Sequence, residues 1–197
     1  MMPMKIIYLI DDEESVRRSV GLLLETYGYE VVPYPCGIDF LREKVSLPRG
    51  CILLDVRMPD QNGLEIQSAL AADGDSWPVV ILTGHGDVVS AVAAMRRGAI
   101  DFIEKPFATH QLFEALDRAF DKFAVDEAVH TAKSRIEALT GREREVFDAL
   151  TEGLSNKQVA RKLDISSRTV EAHRAHIMEK LGANNLVEMV RMSLACR

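Results

Sequence analysis

Cysteine, tryptophan and long apolar runs are scarce in this chain of 197 residues. It has three cysteines and one tryptophan, and aromatic residues make up 6% of the total. The cysteines, Cys36, Cys51 and Cys196, are odd in number and have no CxxC spacing, so we expect a reducing compartment and no disulfide framework. No apolar stretch approaches the roughly 18 residues that span a bilayer, and no signal-peptide pattern opens the chain. We therefore expect a cytoplasmic protein with no membrane partner.

Acidic charge is concentrated in the first two thirds of the chain. The formal net charge is −6, but residues 136–197 contain 10 basic and 9 acidic residues against 14 and 21 in the remainder. Hydrophobic residues make up 47% of the chain, enough to build a core. The uneven charge suggests two modules with different partners.

One apolar run near the middle of the first module ends in a carboxylate. Residues 52–54 are Ile-Leu-Leu, Asp55 follows, and Pro59 and Gly63 mark a loop beyond it. This pattern is typical of a strand buried on both faces of a parallel sheet. It would place Asp55 at the carboxyl edge of the sheet, open to water. The alternative is an aspartate that merely starts a turn.

The first module alternates between strand and helix patterns. We predict strands at Lys5–Ile10, Glu30–Tyr34, Cys51–Asp55, Val79–Thr83 and Ile100–Ile103. The predicted helices are Ser15–Tyr27, Gly37–Lys44, Leu64–Ala72, Val88–Arg97 and one that begins near Thr109. The alternation predicts an α/β fold with a doubly wound, five-stranded parallel sheet.

Polar side chains lie at the carboxyl ends of these strands. Right-handed crossovers bring the carboxyl ends of parallel strands to one edge of the sheet, so these side chains should lie together. They are Asp11, Asp12, Asp55, Thr83 and Lys105. Three crowded carboxylates oppose each other's ionisation and need a cation, and oxygen ligands suit Mg²⁺. An aspartate can also act as the nucleophile in phosphoryl transfer, with Lys105 and Thr83 stabilising the transferred group. Taken singly, Lys105 could be a surface lysine and Thr83 an ordinary strand residue.

These residues together resemble the signature of bacterial response-regulator receiver domains. The resemblance covers about residues 4–122, and the stretches 84–87 and 94–107 are similar to the FixJ type within the FixJ/NarL family. It implies a flavodoxin-like (CheY-like) fold in which Asp55 takes a phosphoryl group from a sensor histidine kinase. It further implies a cis Lys105–Pro106 peptide and the switch residues Thr83 and Phe102. The implied Mg²⁺ ligands are Asp11, Asp12, Asp55 and the backbone carbonyl of Arg57.

A helix without Gly or Pro leads into the second module. It is predicted from Thr109 to Leu139, packing on the first module and then extending into solvent as a linker. Capping boxes at Thr140 and Ser155 open two short helices, followed by a tight turn at residues 164–166. A third helix, Ser167–Leu181, and a fourth, Leu186–Ala195, complete an all-α arrangement with a helix-turn-helix.

The third helix of this module is the candidate DNA-reading element. Val170, His173, Ile177 and Leu181 share the predicted inward face, and Met178 lies on the opposite one. A major groove admits such a helix. We predict phosphate contacts from Ser155, Lys157, Arg168, Arg174 and Lys180, and base contacts from Glu171, Ala172 and Ala175.

The motifs of residues 139–143, 153–157 and 165–173 resemble the LuxR/NarL-type DNA-binding domain, and they add Thr169 to the candidate contacts. We therefore expect a receiver domain at 1–122, a helical linker at 123–137 and a LuxR-type helix-turn-helix domain at 138–197. The expected protein is a transcription regulator, not an enzyme, whose receiver catalyses only its own phosphorylation and dephosphorylation. Phosphorylation should promote homodimerisation and binding to promoter DNA, with RNA polymerase as a further partner.

Two rival functions remain open from the sequence. A phosphatase of the haloacid-dehalogenase type also uses an aspartate nucleophile, but it usually has a second acid two residues on, where this chain has Arg57. A signalling adaptor could instead bind protein through its helical tail. His85, beside Thr83, is either a phosphate or metal ligand or, as we prefer, a loop residue without such a role.

Overall fold

The chain divides into two compact units, with the boundary between Ala124 and Val125. The computed structural model describes residues 5–59, 61–72, 77–84 and 88–196. The predicted linker, 123–137, falls almost wholly inside the second unit, and the expectation that it extends into solvent is wrong, because Ala132 and Ile136 are buried. Within the described ranges, no helix combines the length and the apolar character that crossing a membrane requires.

The first unit is built on a parallel sheet, as predicted. Its described strands are β1 Ile6–Ile10, β2 Glu30–Tyr34, β3 Cys51–Asp55, β4 Arg57–Met58, β5 Gln61–Asn62, β6 Val79–Thr83 and β7 Asp101–Glu104. Its described helices are α1 Glu14–Thr26, α2 Gly37–Glu43, α3 Gly63–Ala72, α4 Val88–Arg96 and α5 Thr109–Glu137, the last of which continues into the second unit. The main sheet has the order β2-β1-β3-β6-β7, the flavodoxin-like arrangement, with all neighbours parallel.

Helices cover both faces of this sheet, so its central strands are fully enclosed. Every residue of β3 and β6 is buried. Leu53 packs with α1 and α5, whereas Ile52 and Leu54 face the opposite layer with Phe40 and Ile66. Burying each such side chain contributes about 1.5–3 kcal/mol. The carboxyl ends of these strands are therefore held on a rigid support.

A short antiparallel ribbon follows β3, in the segment where the sequence predicts only a loop. In it, β4 pairs with β5, and the N–H of Gly63 donates to the carbonyl of Val56 at 2.9 Å. The chain here returns so closely on itself that a Cβ at Gly63 would lie 2.1 Å from the carbonyl oxygen of Asp55. Glycine is therefore required at position 63 by close backbone approach.

The second unit is an all-α bundle, also as predicted. Its helices are α6 Gly141–Thr151, α7 Asn156–Leu163, α8 Ser167–Leu181 and α9 Leu186–Ala195, together with the last turns of α5. Phe147, Val159, Ile177 and Met189 bring all four short helices into one core, and Ile136 adds α5.

Local capping interactions fix the ends of these helices. The hydroxyl of Thr140 accepts from the N–H of Glu143, whose carboxylate accepts from the N–H of Thr140 at 2.8 Å. Ser166 caps α8 by accepting from the N–H of Thr169 at 3.0 Å. Asp164 has φ 53° and ends α7 in the left-handed conformation, which produces the tight turn into α8.

Substituting Gly63→Ala is expected to destabilise the first unit by about 2 kcal/mol, because the new methyl group collides with backbone rather than with a mobile side chain. Trp77, the single tryptophan, is buried in this unit and reports its unfolding in urea by fluorescence. Gly21→Ala is the matched control. Gly21 lies inside α1, and a Cβ there would be 3.9 Å from a methyl group of Val31 in β2, which is an ordinary contact. Because alanine favours the helix over glycine, this variant should stabilise the first unit by up to about 1 kcal/mol. Equal midpoints for the two variants would contradict the close-approach argument.

Candidate functional sites

Three carboxylates meet where β1 and β3 end side by side. Asp11 and Asp12 follow β1, and Asp55 is the last residue of β3. The two strands are direct neighbours, with Ile10 in register with Leu54. One oxygen of each carboxylate lies within 4.8 Å of the others. The predicted acidic cluster therefore exists, and parallel pairing of the two strands creates it.

Lys105 neutralises two of these carboxylates. Its Nζ lies 2.6 Å from Oδ2 of Asp11 and 2.7 Å from Oδ2 of Asp55. The backbone N–H of Lys105 donates to the carbonyl of Thr83 at 2.7 Å, which holds the lysine at the end of β6. The Lys105–Pro106 peptide is cis, as the resemblance to receiver domains implied. Thr83 itself is completely buried at this edge.

Burial determines the electrostatics of this site. It raises the pKa of Asp11 above its ordinary value, although Lys105 opposes this. Burial alone would lower the pKa of Lys105, but its hydrogen bonds to Asp11 and Asp55 outweigh that effect and raise it. The expectation that Asp55 is open to water is wrong, because the residue is only 4% exposed. It lies beneath Lys105, which replaces solvent as the partner of the carboxylate.

The remaining carboxylate oxygens are oriented by backbone donors. Oδ1 of Asp55 accepts from the N–H of Arg57 at 3.0 Å, and Oδ1 of Asp11 accepts from the N–H of Glu13 at 2.9 Å. Arg17, one turn into α1, donates from Nη1 to the backbone carbonyl of Asp11 at 2.5 Å. Arg17 was not among the predicted site residues, since an arginine at that spacing resembles any solvent-exposed helix residue.

The acidic cluster has the chemistry that Mg²⁺ requires. Its donors are hard oxygens, and Asp12 is less buried than the other two, which leaves a path for water ligands. Arg57, whose carbonyl is the predicted fourth ligand, begins β4 directly beyond Asp55. His85, the alternative ligand, lies outside the described residues. The ligand set stays a prediction.

Phe102, the predicted switch aromatic, lies in β7 opposite Ile81 of β6. It is partly buried against the same layer as Tyr8 and Ile66. Thr83, two residues further along β6, pairs with Glu104 in register. The two predicted switch residues thus share one pair of neighbouring strands, and their role as a switch stays a prediction.

The second site is the outer surface of α8. Val170, Ile177 and Leu181 are buried, and His173 is half-buried as predicted. Met178 was placed on the outer face, but it is partly buried and packs against the core. The exposed candidates for DNA contact are Arg168, Thr169, Glu171, Ala172, Ala175 and Lys180 on α8, together with Ser155 and Lys157 at the start of α7. Arg174 is half-buried on the same helix.

Side chains from the start of α6 hold the helix-turn-helix in place. Nζ of Lys180 donates to Oε2 of Glu143 at 2.7 Å, so its ammonium group already has a partner within the protein. Arg142 donates from Nη2 to the carbonyl of Leu163, the last residue of α7, at 2.6 Å. The hydrogen bond from Lys180, followed by those from the N–H and hydroxyl of Thr140, lowers the pKa of Glu143 to about 2. Sequence spacing showed the cap at Thr140 but not these contacts between helices.

Comparisons with known proteins match both units. Residues 7–117 match the family model described as the response regulator receiver domain. Residues 137–193 match the model for bacterial regulatory proteins of the luxR family.

Similar proteins extend across nearly the whole chain. The transcriptional regulatory protein FixJ of Rhizobium meliloti is 41% identical over 193 residues, which cover 96% of this chain and 95% of that protein. The tetrathionate response regulatory protein TtrR of Salmonella typhimurium is 40% identical, with 95% and 91% covered. The crystal structure of full-length FixJ from B. japonicum is similar with a TM-score of 0.58 at 39% identity, covering 98% of this chain and 97% of that one.

The low pKa of Glu143 predicts a pH-dependent contribution to the stability of the second unit. A carboxylate whose folded-state pKa is about 2, below its ordinary 4.5, stabilises the fold above pH 4.5, and this contribution is lost between pH 4.5 and 2. Glu143→Gln can keep the cap at Thr140 but loses the charge facing Lys180. It should therefore lower the melting temperature at pH 7, and the difference should shrink as the pH falls towards 2.

Far-UV circular dichroism at several pH values measures the difference in melting temperature. Trp77 fluorescence follows the melting of the first unit, so that its transition can be told apart from that of the second. Glu145→Gln is the control, because Glu145 is exposed and forms a surface pair with Arg142. A difference that does not change with pH, or an equal loss in the control, would contradict the assignment.

Proposed function

The chain belongs to the FixJ-like two-component response regulators, which join a receiver domain to a LuxR-type DNA-binding domain, and on that premise we propose that phosphorylation of Asp55 controls DNA binding by α8. The donor is a sensor histidine kinase. The observation that supports this best is the bridge from Lys105 to both Asp11 and Asp55, since it presents one carboxylate beside a fixed positive charge.

The transfer itself is a displacement at phosphorus. The donor is a phosphorylated histidine of the kinase. An oxygen of Asp55 forms the new bond to phosphorus, while the bond between phosphorus and the histidine nitrogen breaks and its electron pair stays on the imidazole. The incoming phosphoryl group carries negative charge, which Lys105 can balance within hydrogen-bonding reach of Asp55. Oδ1 of Asp55 stays oriented by the N–H of Arg57. Thr83, at the adjacent strand end, can donate its hydroxyl to the transferred group.

Mg²⁺ held by Asp11, Asp12, Asp55 and the carbonyl of Arg57 would supply positive charge to the phosphoryl oxygens. The acidic cluster supports this proposal because its three ligand atoms lie within 4.8 Å of one another. Three carboxylates so close together repel one another, which opposes the ionisation of all three. Lys105 pairs with two of them, Asp11 and Asp55, and a metal ion would balance the remaining charge.

Phosphorylation would be transmitted through Thr83 and Phe102 to the outer surface of the receiver. Helix α4 carries exposed Val88, Val89, Val92 and Met95, with Val89 79% exposed. Exposed apolar faces of this kind mark protein contacts. We assign this face to a receiver dimer that forms on phosphorylation. Pairing two DNA-binding domains raises affinity through effective concentration, without any new contact to DNA.

The DNA contacts follow from the exposed side chains of α8 and the start of α7. Lys157, Arg168 and Arg174 would supply positive charge for phosphates, and the exposed residues Glu171, Ala172 and Ala175 would contact base edges. Lys180 already pairs with Glu143, so its contact to phosphate would use its remaining donors. The protein would act in the cytoplasm, regulating and most simply activating transcription by RNA polymerase at the promoters it binds.

Asp55→Asn is expected to abolish phosphorylation, because an amide is not a nucleophile for this transfer. Incubation of the wild type with acetyl phosphate and Mg²⁺ should add one phosphoryl group of about 80 Da at Asp55, detected by mass spectrometry. Asp12→Asn should slow labelling at limiting Mg²⁺, and chelation with EDTA should stop it. Glu14→Gln is the matched control, since it removes the same charge from an exposed position two residues away. Labelling retained in Asp55→Asn would place the acceptor elsewhere.

The same samples test dimerisation by light scattering. The unphosphorylated chain should have the monomer mass of 22.0 kDa, and the labelled chain should approach twice that mass. A labelled chain that stays at the monomer mass would contradict the proposed role of α4.

Arg168→Ala is expected to weaken DNA binding, because Arg168 is exposed at the start of α8. Fluorescence anisotropy with a random duplex should show that the affinity of the wild type falls as salt is added. The slope of log K against log salt concentration should be about one unit smaller in magnitude for the variant. Arg191→Ala removes the same charge from the exposed surface of α9 and should leave the slope unchanged. Binding without salt dependence would favour the rival adaptor function.

A further inference from the structure

Arg135, near the end of α5, contacts the C-terminal end of α8. Its Nη1 donates to the backbone carbonyl of Leu181 at 2.7 Å. Leu181 is the last residue of α8, so its carbonyl has no partner within the helix. The aligned peptide dipoles also give this end of α8 a partial negative charge, which a cation stabilises. Arg135 therefore both caps α8 and balances its charge.

Gly182 provides the space for this contact. It has φ 67°, the left-handed conformation that ends α8. A Cβ at this position would lie 2.6 Å from Nη1 of Arg135 and 3.5 Å from its Cζ. A side chain here would displace the guanidinium group. The glycine thus serves the helix end and the arginine together.

The backbone that carries Arg135 is anchored on the same unit. Ala132 and Ile136, three residues before and one after Arg135, are buried. Sγ of Cys196, beyond the end of α9, lies 3.9 Å from the carbonyl of Val129. The last turns of α5 are therefore packed against the helical bundle, and Arg135 extends from a fixed position.

We propose that Arg135 is a positioning residue for DNA reading, acting from α5 on the C-terminal end of α8. This inference rests on the proposed function of α8 as the reading helix. Together with the pair between Lys180 and Glu143, the bond from Arg135 fixes the last turn of α8 to two other segments of the chain. Base contacts carry the sequence information and depend on the placement of this helix in the groove, whereas phosphate contacts supply affinity that is independent of sequence. Loss of Arg135 should therefore reduce discrimination between DNA sequences more than it reduces overall affinity.

The test compares two duplexes with the full-length, phosphorylated chain. One duplex is selected by the wild type from a random pool, and the other has the same base composition in shuffled order. Arg135→Ala should lower the ratio of the two affinities by roughly threefold to fivefold, which is at or below the discrimination that one good base contact provides. Binding is measured well below the melting temperature of every variant, so that reduced stability alone leaves the ratio unchanged.

Two controls separate positioning from charge. Lys133→Ala removes the same charge from an exposed position on α5 and should leave the ratio at the wild-type value. Arg135→Lys keeps a donor for the carbonyl of Leu181 and should recover most of the ratio. An Arg135→Ala ratio equal to that of the wild type, or an equal loss in Lys133→Ala, would overturn the inference. A wild type that shows neither discrimination nor salt dependence would instead overturn DNA binding itself.

A double-mutant cycle with Gly182→Ala tests the contact directly. The added methyl group strains the left-handed backbone in every background, so that cost cancels in the cycle. The collision with the guanidinium exists only when Arg135 is present. Gly182→Ala should therefore reduce the affinity ratio further in the wild type than in Arg135→Ala. Equal effects in the two backgrounds would show that no coupling passes through this contact.

Discussion

The bridge from one ammonium group to two buried carboxylates is the constraint on which the first unit depends. Asp11 and Asp55 are both almost inaccessible to solvent, and Lys105 is the cation that pairs with each of them. Buried like charges without a partner would cost several kcal/mol, so these three residues must stay together. The same arrangement makes the site chemically useful, because positive charge already stands where a phosphoryl group would arrive.

The sheet makes this arrangement possible. Parallel strands end at a common edge, and the fully buried β3 and β6 cannot shift without opening the core. The close approach of Gly63 to the backbone of Asp55 then fixes the chain immediately beyond the site. The residues of the proposed phosphorylation site thus lie on loops and strand ends that a rigid scaffold supports.

In the second unit, helix caps and contacts between helices fix the positions of the surface residues. Glycine and Asp164 end α8 and α7 in the left-handed conformation, and serine and threonine caps begin the helices at defined residues. Three long side chains, Arg135, Arg142 and Lys180, then join segments that local capping does not connect. These contacts hold the end of α7 and the last turn of α8 against other segments of the same unit.

Periodicity, caps and turn residues in the sequence determined the order and type of the major elements, since each of these signals acts within a few residues. They also placed five polar residues at one sheet edge, because strand direction alone sets which ends meet. Only the tertiary structure decided that Lys105 bridges residues 94 and 50 positions away, that Asp55 is covered, that β4 and β5 pair, and that Arg135 reaches Leu181. These contacts depend on the distances between packed elements, and such distances arise from the whole core rather than from any local pattern.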